Sequence, residues 1–154
     1  MIRHALLLAA LLCLPGCSLL ERFRLTPAEP TKPASLRLQI ASETPVDGWT
    51  ETRDEEDRTI YVSPEVILTE IDISDSASIH SETTHGVQLA FVGMGADRLG
   101  RISAANIGKR MAIFVDDKVV ASPRIRTSVR DRAVITGDFT REQAQTLAKR
   151  LQPS

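Results

Sequence analysis

Two histidines and a carboxylate stand close together in mid-chain: His80, Glu82 and His85. Imidazole nitrogen and carboxylate oxygen are ligands that zinc accepts. On a strand His80 and Glu82 would share a face, with His85 in the turn that follows. The same residues suit an exposed hairpin arm with a His-bearing turn, which is the simpler reading, so no metal is assigned. Gly93-Met94-Gly95 with Gly100 loosely resembles a phosphate-binding glycine loop. Arg98 takes the place of the third glycine of G-x-G-x-x-G, so a strand-to-helix turn that needs small residues explains it better. No G-x-S-x-G, H-E-x-x-H or Walker pattern occurs. Asp116 and Asp117 are adjacent and would point apart on a strand, so they read as turn formers. No catalytic residue and no cofactor is assigned, and an enzyme is not expected.

Four arginines crowd one stretch: Arg124, Arg126, Arg130 and Arg132. Strand alternation would put Arg124 and Arg126 on one face, while Arg130 and Arg132 flank Asp131 at a turn. This is a candidate basic patch for lipid head groups or an acidic partner. It equally suits a solvated strand face that discourages edge pairing. The acidic run Asp54 to Asp57 is either its intramolecular neighbour or a solvent-facing loop.

The amino terminus offers a thiol placed for acylation. Arg3 and His4 precede an uncharged run of mostly Leu and Ala from Ala5 to Leu14. A basic segment followed by an apolar one is the order of an export signal. The run is shorter than the about 20 apolar residues a bilayer span requires. Leu14-Pro15-Gly16-Cys17 resembles a lipobox, the motif that lipoprotein signal peptidases cut: Leu14, Gly16 and Cys17 fit it, and Pro15 departs from it. Residues 1–16 are therefore expected to be a signal peptide and Cys17 the lipidated first residue. One acyl chain holds a protein only marginally, at about 0.8 kcal/mol per buried methylene, so stable attachment needs more than one. Cys17, so modified, would be anchored in the lipid bilayer. The lipobox resemblance further implies, through Ser18 in place of a retaining Asp, the outer membrane, with the domain facing the periplasm.

Composition fits one domain beyond the signal. Lys and Arg number 19 against 20 Asp and Glu, so no basic surplus suggests nucleic acid. The two cysteines are Cys13, inside the signal, and Cys17, so the rest of the chain has neither a disulfide nor a nucleophilic thiol. With one Trp and one Tyr, a stacking platform for bases or sugars is not expected. Residues 17–35 carry Pro27, Pro30 and Pro33 and read as a tether, extended at about 3.1 Å per residue. No internal repeat is present.

Residues 36–154 carry the folded pattern. Leu36, Leu38 and Ile40 alternate with polar or small neighbours, as in a half-buried strand. Residues 42–58 read as loop and Thr59 to Val62 as a short strand. Thr69 and Asp72 have the spacing to cap a helical turn. Ala77 to Glu82 and Val87 to Val92 suit a hairpin about residues 83–86. Met94 to Ile107 reads as a helix with Leu99, Ile102 and Ala105 on its buried stripe, ended by Gly108 in a left-handed conformation. Met111 to Val115 has the all-apolar run of a central strand. A turn at 116–118 leads to Val119 to Ala121, and Pro123 breaks the ladder. Residues 125–129 alternate as a strand, and Ala133 to Thr136 form another. Thr140 and Gln143 suit a capping box for a final helix buried through Ala144, Leu147, Ala148 and Leu151. Two helices packed on a mainly antiparallel sheet make a single α+β domain.

From about Tyr61 to Leu151 the chain resembles the head subdomain in the large periplasmic loop of SecD and SecDF, components of the Sec protein translocase. The resemblance rests on Val87 to Phe91, Asn106 to Ile113, Asp117 to Pro123, and Ile135 to Thr140 leading into Glu142-Gln143-Ala144. No membrane helices like those of SecD follow the signal, so proton-driven pulling is not implied. The resemblance implies a non-enzymatic interaction domain that contacts unfolded exported polypeptide or Sec components, with no nucleic acid. The alternative is an accessory envelope lipoprotein that reuses the fold for an unrelated partner or a wall polymer.

Overall fold

The computed structural model describes residues 32–153. The expected export signal, Cys17 and most of the Pro-rich stretch lie outside the described residues. Eight strands and two helices follow in order: β1 Leu36–Ser42, β2 Thr50–Arg53, β3 Thr59–Thr69, β4 Ile73–His80, β5 His85–Phe91, α1 Gly93–Ala105, β6 Arg110–Val115, β7 Lys118–Ala121, β8 Arg132–Thr136 and α2 Arg141–Arg150. A five-stranded sheet has the order β2-β3-β1-β6-β7 and a three-stranded sheet the order β4-β5-β8. Every pairing is antiparallel. The expected α+β class is the one observed. Among the described residues no helix is long and apolar enough to cross a membrane.

Period-2 alternation builds the core. Leu36, Leu38 and Ile40 of β1 stand beside Met111, Ile113 and Val115 of β6 on one face of the large sheet. They join Val87, Leu89 and Phe91 of β5, Ile135 of β8, and Ala144, Leu147, Ala148 and Leu151 of α2. Ala112 and Phe114 bury the opposite face of β6 with Ala41, Ile60 and Val62. Burial on both faces explains the all-apolar run of β6, which lies between β1 and β7.

The caps form as expected. In α2 the Thr140 hydroxyl accepts from the Gln143 N–H (3.2 Å), and the Gln143 side chain accepts from the Thr140 N–H (2.8 Å). Asp72 accepts from the Thr69 N–H (3.0 Å) over a single 3-10 turn, Glu70–Asp72. Gly108 has φ +93° just after α1. Asp116 and Asp117, with φ of 48° and 66°, make the two-residue turn between β6 and β7.

Four expectations need correction. The loop expected over 42–58 contains β2, which pairs with β3. The strand expected to end at Val62 runs on to Thr69 through a bulge: β1 pairs Gln39 with Val66 but Ala41 with Val62. Pro64, lacking an N–H, sits in that bulge, and the Gln39 side chain donates to the Ser63 carbonyl (2.8 Å). No strand forms over 125–129. A single bridge joins Arg124 to Arg110, and the backbone N–H of Val129 is taken instead by the buried Ser103 hydroxyl (2.9 Å). In α1, Leu99 is buried and Ile102 packs half-buried against the core as expected, but Ala105 faces solvent, and Gly95, Ala96 and Ser103 complete the buried stripe.

Candidate functional site

Two of the four arginines, Arg124 and Arg130, are held by different carboxylates. Glu43 accepts from Arg124 Nη2 at 2.8 and 2.9 Å and from Arg110 Nε at 2.7 Å. Those bonds, from Arg110 first and then Arg124, hold the Glu43 carboxyl below the ordinary value. Arg124 also donates to the Gly108 carbonyl (2.6 Å), so it is a clamp between segments. Arg130 pairs with Asp97 of α1 at 2.6 Å. Arg126 and Arg132 are exposed. Among the described residues no ion pair joins the acidic run 54–57 to Arg124 or Arg130; its side chains bond Arg58 and Ser122, and the Asp57 carbonyl accepts from Arg53.

The glycines around α1 serve packing. A Cβ on Gly95 would lie 2.7 Å from Asp72 Oδ1, and one on Gly100 would lie 3.2 Å from the Arg130 side chain. Asp72 reaches Arg98 (3.1 Å), and these pairs tie α1 to its neighbours. An open groove of about 870 Å³ runs along this helix past Met94, Arg98, Arg101 and Arg130.

Two members of the proposed metal trio come together. His80 and His85 are directly paired in the β4–β5 ladder, with ring centroids 5.5 Å apart and edge to face. Glu82 lies in the turn, not on the strand face of His80, because β4 ends at His80. Among the described residues no three His, Cys, Asp or Glu side chains are placed to hold a metal ion.

A second polar cluster was not anticipated. The Asp54 carboxylate is fully buried. Its Oδ1 accepts from the N–H groups of Glu56 (3.0 Å) and Arg58 (2.9 Å), and its Oδ2 accepts from Arg58 Nε (2.8 Å) and the Ser122 hydroxyl (3.0 Å). Burial alone would raise its pKa, but these hydrogen bonds, those of Arg58 foremost, outweigh burial and lower it. Glu55 accepts from the Ser122 N–H at 3.0 Å. The 54–58 turn is thereby pinned to the chain that leaves β7. The signal in the sequence is slight: an acidic run followed by Arg58, with nothing to name Ser122 as the partner.

That pinned turn forms one wall of a second groove, of about 610 Å³. Ala121, Ser122 and Pro123 line it, as do Val134, Thr136, Gly137 and Asp138 from β8 and its exit. Among the described residues strand β8 is paired on one side only. Phe91 N–H donates to the Asp131 carbonyl (2.8 Å), so alternation through the unbroken register makes Leu89–Ala133 and Val87–Ile135 the hydrogen-bonded pairs. The backbone N–H and C=O of Arg132, Val134 and Thr136 therefore point away from β5, along a free edge. Val134 is 46% exposed there.

Comparison with known proteins identifies the architecture. Residues 47–153 match the family model of the SecDF P1 head subdomain. This chain belongs to that family. It is 45% identical over 62 residues to the protein translocase subunit SecD of Aquifex aeolicus, covering 40% of this chain and 12% of that protein. With SecD of Rickettsia conorii the figures are 38% over 74 residues, 47% and 14%. The head-family chain thus spans a small part of those relatives. Among solved structures, one of SecDF described as a membrane component that enhances protein export superposes with a TM-score of 0.64 at 26% identity, over 90% of this chain and 70% of that one. SecDF in its super-membrane-facing form gives 0.63 at 26% identity, over 79% and 19%. Two of the segments that carried the resemblance in sequence, 117–123 and 135–144, contribute Ala121 to Pro123 and Thr136 to Asp138 to the lining of the second groove.

Proposed function

We propose that this chain is a membrane-anchored, non-enzymatic interaction domain of the bacterial envelope that contacts exported polypeptide or a component of the Sec translocon. The match of residues 47–153 to the SecDF P1 head supports this reading most directly. Its relatives are translocase subunits by name, and the free edge beside a groove suits recognition of another chain. The anchor is assigned to Cys17, with the domain facing the periplasm from the outer membrane. Arg126 and Arg132, exposed and outside any ion pair among the described residues, remain the members of the basic patch able to meet an acidic partner.

The test is in-cell photocrosslinking from positions along both grooves. Capture of exported chains in transit or of Sec components is expected. Capture of wall polymer or an outer-membrane complex alone would overturn the reading in favour of an accessory lipoprotein. The anchor is tested separately: Cys17→Ser should move the protein to the soluble fraction, and continued need for detergent would sink that assignment.

A further inference from the structure

We infer that the free edge of β8 binds an extended, cationic polypeptide segment as an added β-strand. This rests on the reading that the partner is a polypeptide and specifies where and how it is held.

An extended backbone is the complement of this edge. Arg132, Val134 and Thr136 each present an N–H and a C=O away from β5, at the two-residue spacing of a strand. No backbone bond to these outward groups exists among the described residues. Unpaired edges of this kind are templates for strand addition, in which main-chain bonds supply affinity and flanking pockets supply selectivity. Gly137 sits close to β7, where a Cβ would lie 3.4 Å from the Val120 carbonyl, so the groove narrows at that end. A single strand fits the open part better than a folded surface.

The walls set the charge of the occupant. Three carboxylates line the groove, Glu55, Glu56 and Asp138, against two guanidiniums, Arg58 and Arg110. Both guanidiniums are already held, Arg58 by Asp54 and Glu56 and Arg110 by Glu43. Asp138 has no ion-pair partner among the described residues, and Glu55 is bonded only to Ser122. The unneutralised charge of this lining, beside Val134 and Thr136, is negative, so Lys or Arg side chains are favoured on the part of the added strand that lies there; Arg132, exposed at the other end of the edge, is not among the residues that line the groove.

Proline supplies a selective test. The Val134 N–H takes no part in the β5–β8 ladder, so Val134→Pro removes one outward donor from an edge strand, where proline is tolerated. Val134→Thr keeps the donor. The probe is a soluble, unstructured peptide of alternating Lys, Val and Thr, with a counterpart carrying Glu for Lys. Fluorescence anisotropy should show binding to the wild-type protein and to Val134→Thr, about tenfold weaker binding to Val134→Pro, and weaker binding of the Glu peptide. In the wild-type protein, the Val134 and Thr136 amides should become protected from hydrogen exchange when the Lys peptide is added. That measurement stands even if the proline variant folds poorly. Equal binding to Val134→Pro without amide protection would overturn strand addition while leaving a polypeptide partner in place. No binding of the Lys peptide by the wild-type protein would overturn the inference, and absence of exported chains from the in-cell crosslinks would separately remove the reading beneath it. Protection of Val134 in a peptide-free dimer would assign the edge to a second copy instead.

Discussion

Asp54→Asn tests the pinned turn with little change of shape. The asparagine carbonyl replaces Oδ1 and keeps its bonds from the Glu56 and Arg58 N–H groups. The amide nitrogen replaces Oδ2 and turns a donor toward Arg58 Nε and the Ser122 hydroxyl. Ser122 rotates and accepts. The guanidinium has no acceptor to offer, so one charge-assisted bond is lost and the two backbone bonds weaken as the charge disappears. A hydrogen bond to a charged group contributes about 1.5–3 kcal/mol. Arg58 is 40% exposed, so its share falls at the low end of that range through solvent screening. The expected loss is about 2–3 kcal/mol, or roughly 10 °C in Tm for a domain of this size. Urea denaturation followed by Trp49 fluorescence and far-UV circular dichroism measures it. The pH dependence fixes the cause. The native carboxyl titrates below its ordinary value of 3.8. Its contribution is therefore complete above that value and is lost as the pH falls through the lower native one. Wild type and variant should differ fully at neutral pH and converge at the acid end. A difference within about 0.5 kcal/mol at neutral pH, or one that persists undiminished in acid, would refute the account.

Three further outcomes are expected. Gly86→Ala places a Cβ 2.5 Å from the Ile135 carbonyl oxygen, so the β5–β8 ladder must spread; a loss of about 1–3 kcal/mol is expected in urea titration, and an unchanged midpoint would contradict it. Thr140→Ala removes the N-cap of α2 and should cost about 1 kcal/mol, with Thr140→Ser restoring most of it, both read by thermal melts. Equimolar zinc should leave the melting temperature unchanged, because among the described residues His80 and His85 meet without a third ligand; a stabilisation abolished by His80→Ala would establish a metal site.

The elements that read clearly are those in which one local rule decides the outcome. The Leu36-Leu38-Ile40 alternation, the continuous apolar run of β6 and the Thr140–Gln143 box each carry their structure within a few residues. Residues 125–129 have the alternation of a strand, but only Ile125 finds backbone partners, at Gly108 and Lys109, and no ladder continues beyond it. Pro123 breaks the ladder before it, and a helix hydroxyl, Ser103, claims Val129 from 26 residues away. Chain-local periodicity cannot register that competition. The candidate site was less legible still. Its free edge exists because β8 ends up at the margin of a three-stranded sheet, and its wall exists because Asp54 reaches Ser122 across 68 residues. Two of the arginines read in sequence as one patch, Arg124 and Arg130, are engaged by carboxylates distant in sequence, Glu43 and Asp97, which no local pattern announces.

The point where the chain enters the domain bears on the proposed anchor. Ala34 N–H donates to the Arg150 carbonyl (3.0 Å), Arg150 Nε donates to the Lys32 carbonyl (2.8 Å), and Arg150 Nη2 reaches Asp116 (2.5 Å), whose backbone N–H bonds the Ser35 carbonyl. The carboxyl of Asp116 is held below its ordinary value chiefly by that guanidinium. These bonds fasten residues 32–35 to the end of α2 and to the β6–β7 turn immediately before β1. Strand β1 is flanked by β3 on one side and β6 on the other. A chain held at Cys17 would therefore pull along β1, against two ladders of perpendicular hydrogen bonds that must shear together, and not peel an edge strand one bond at a time. The proposed polypeptide site lies on β8, in the other sheet. A moving chain gripped at β8 would load the domain between a strand bonded on both sides and a strand bonded on one. Such an arrangement lets a weak, reversible contact at β8 release before the anchored core opens.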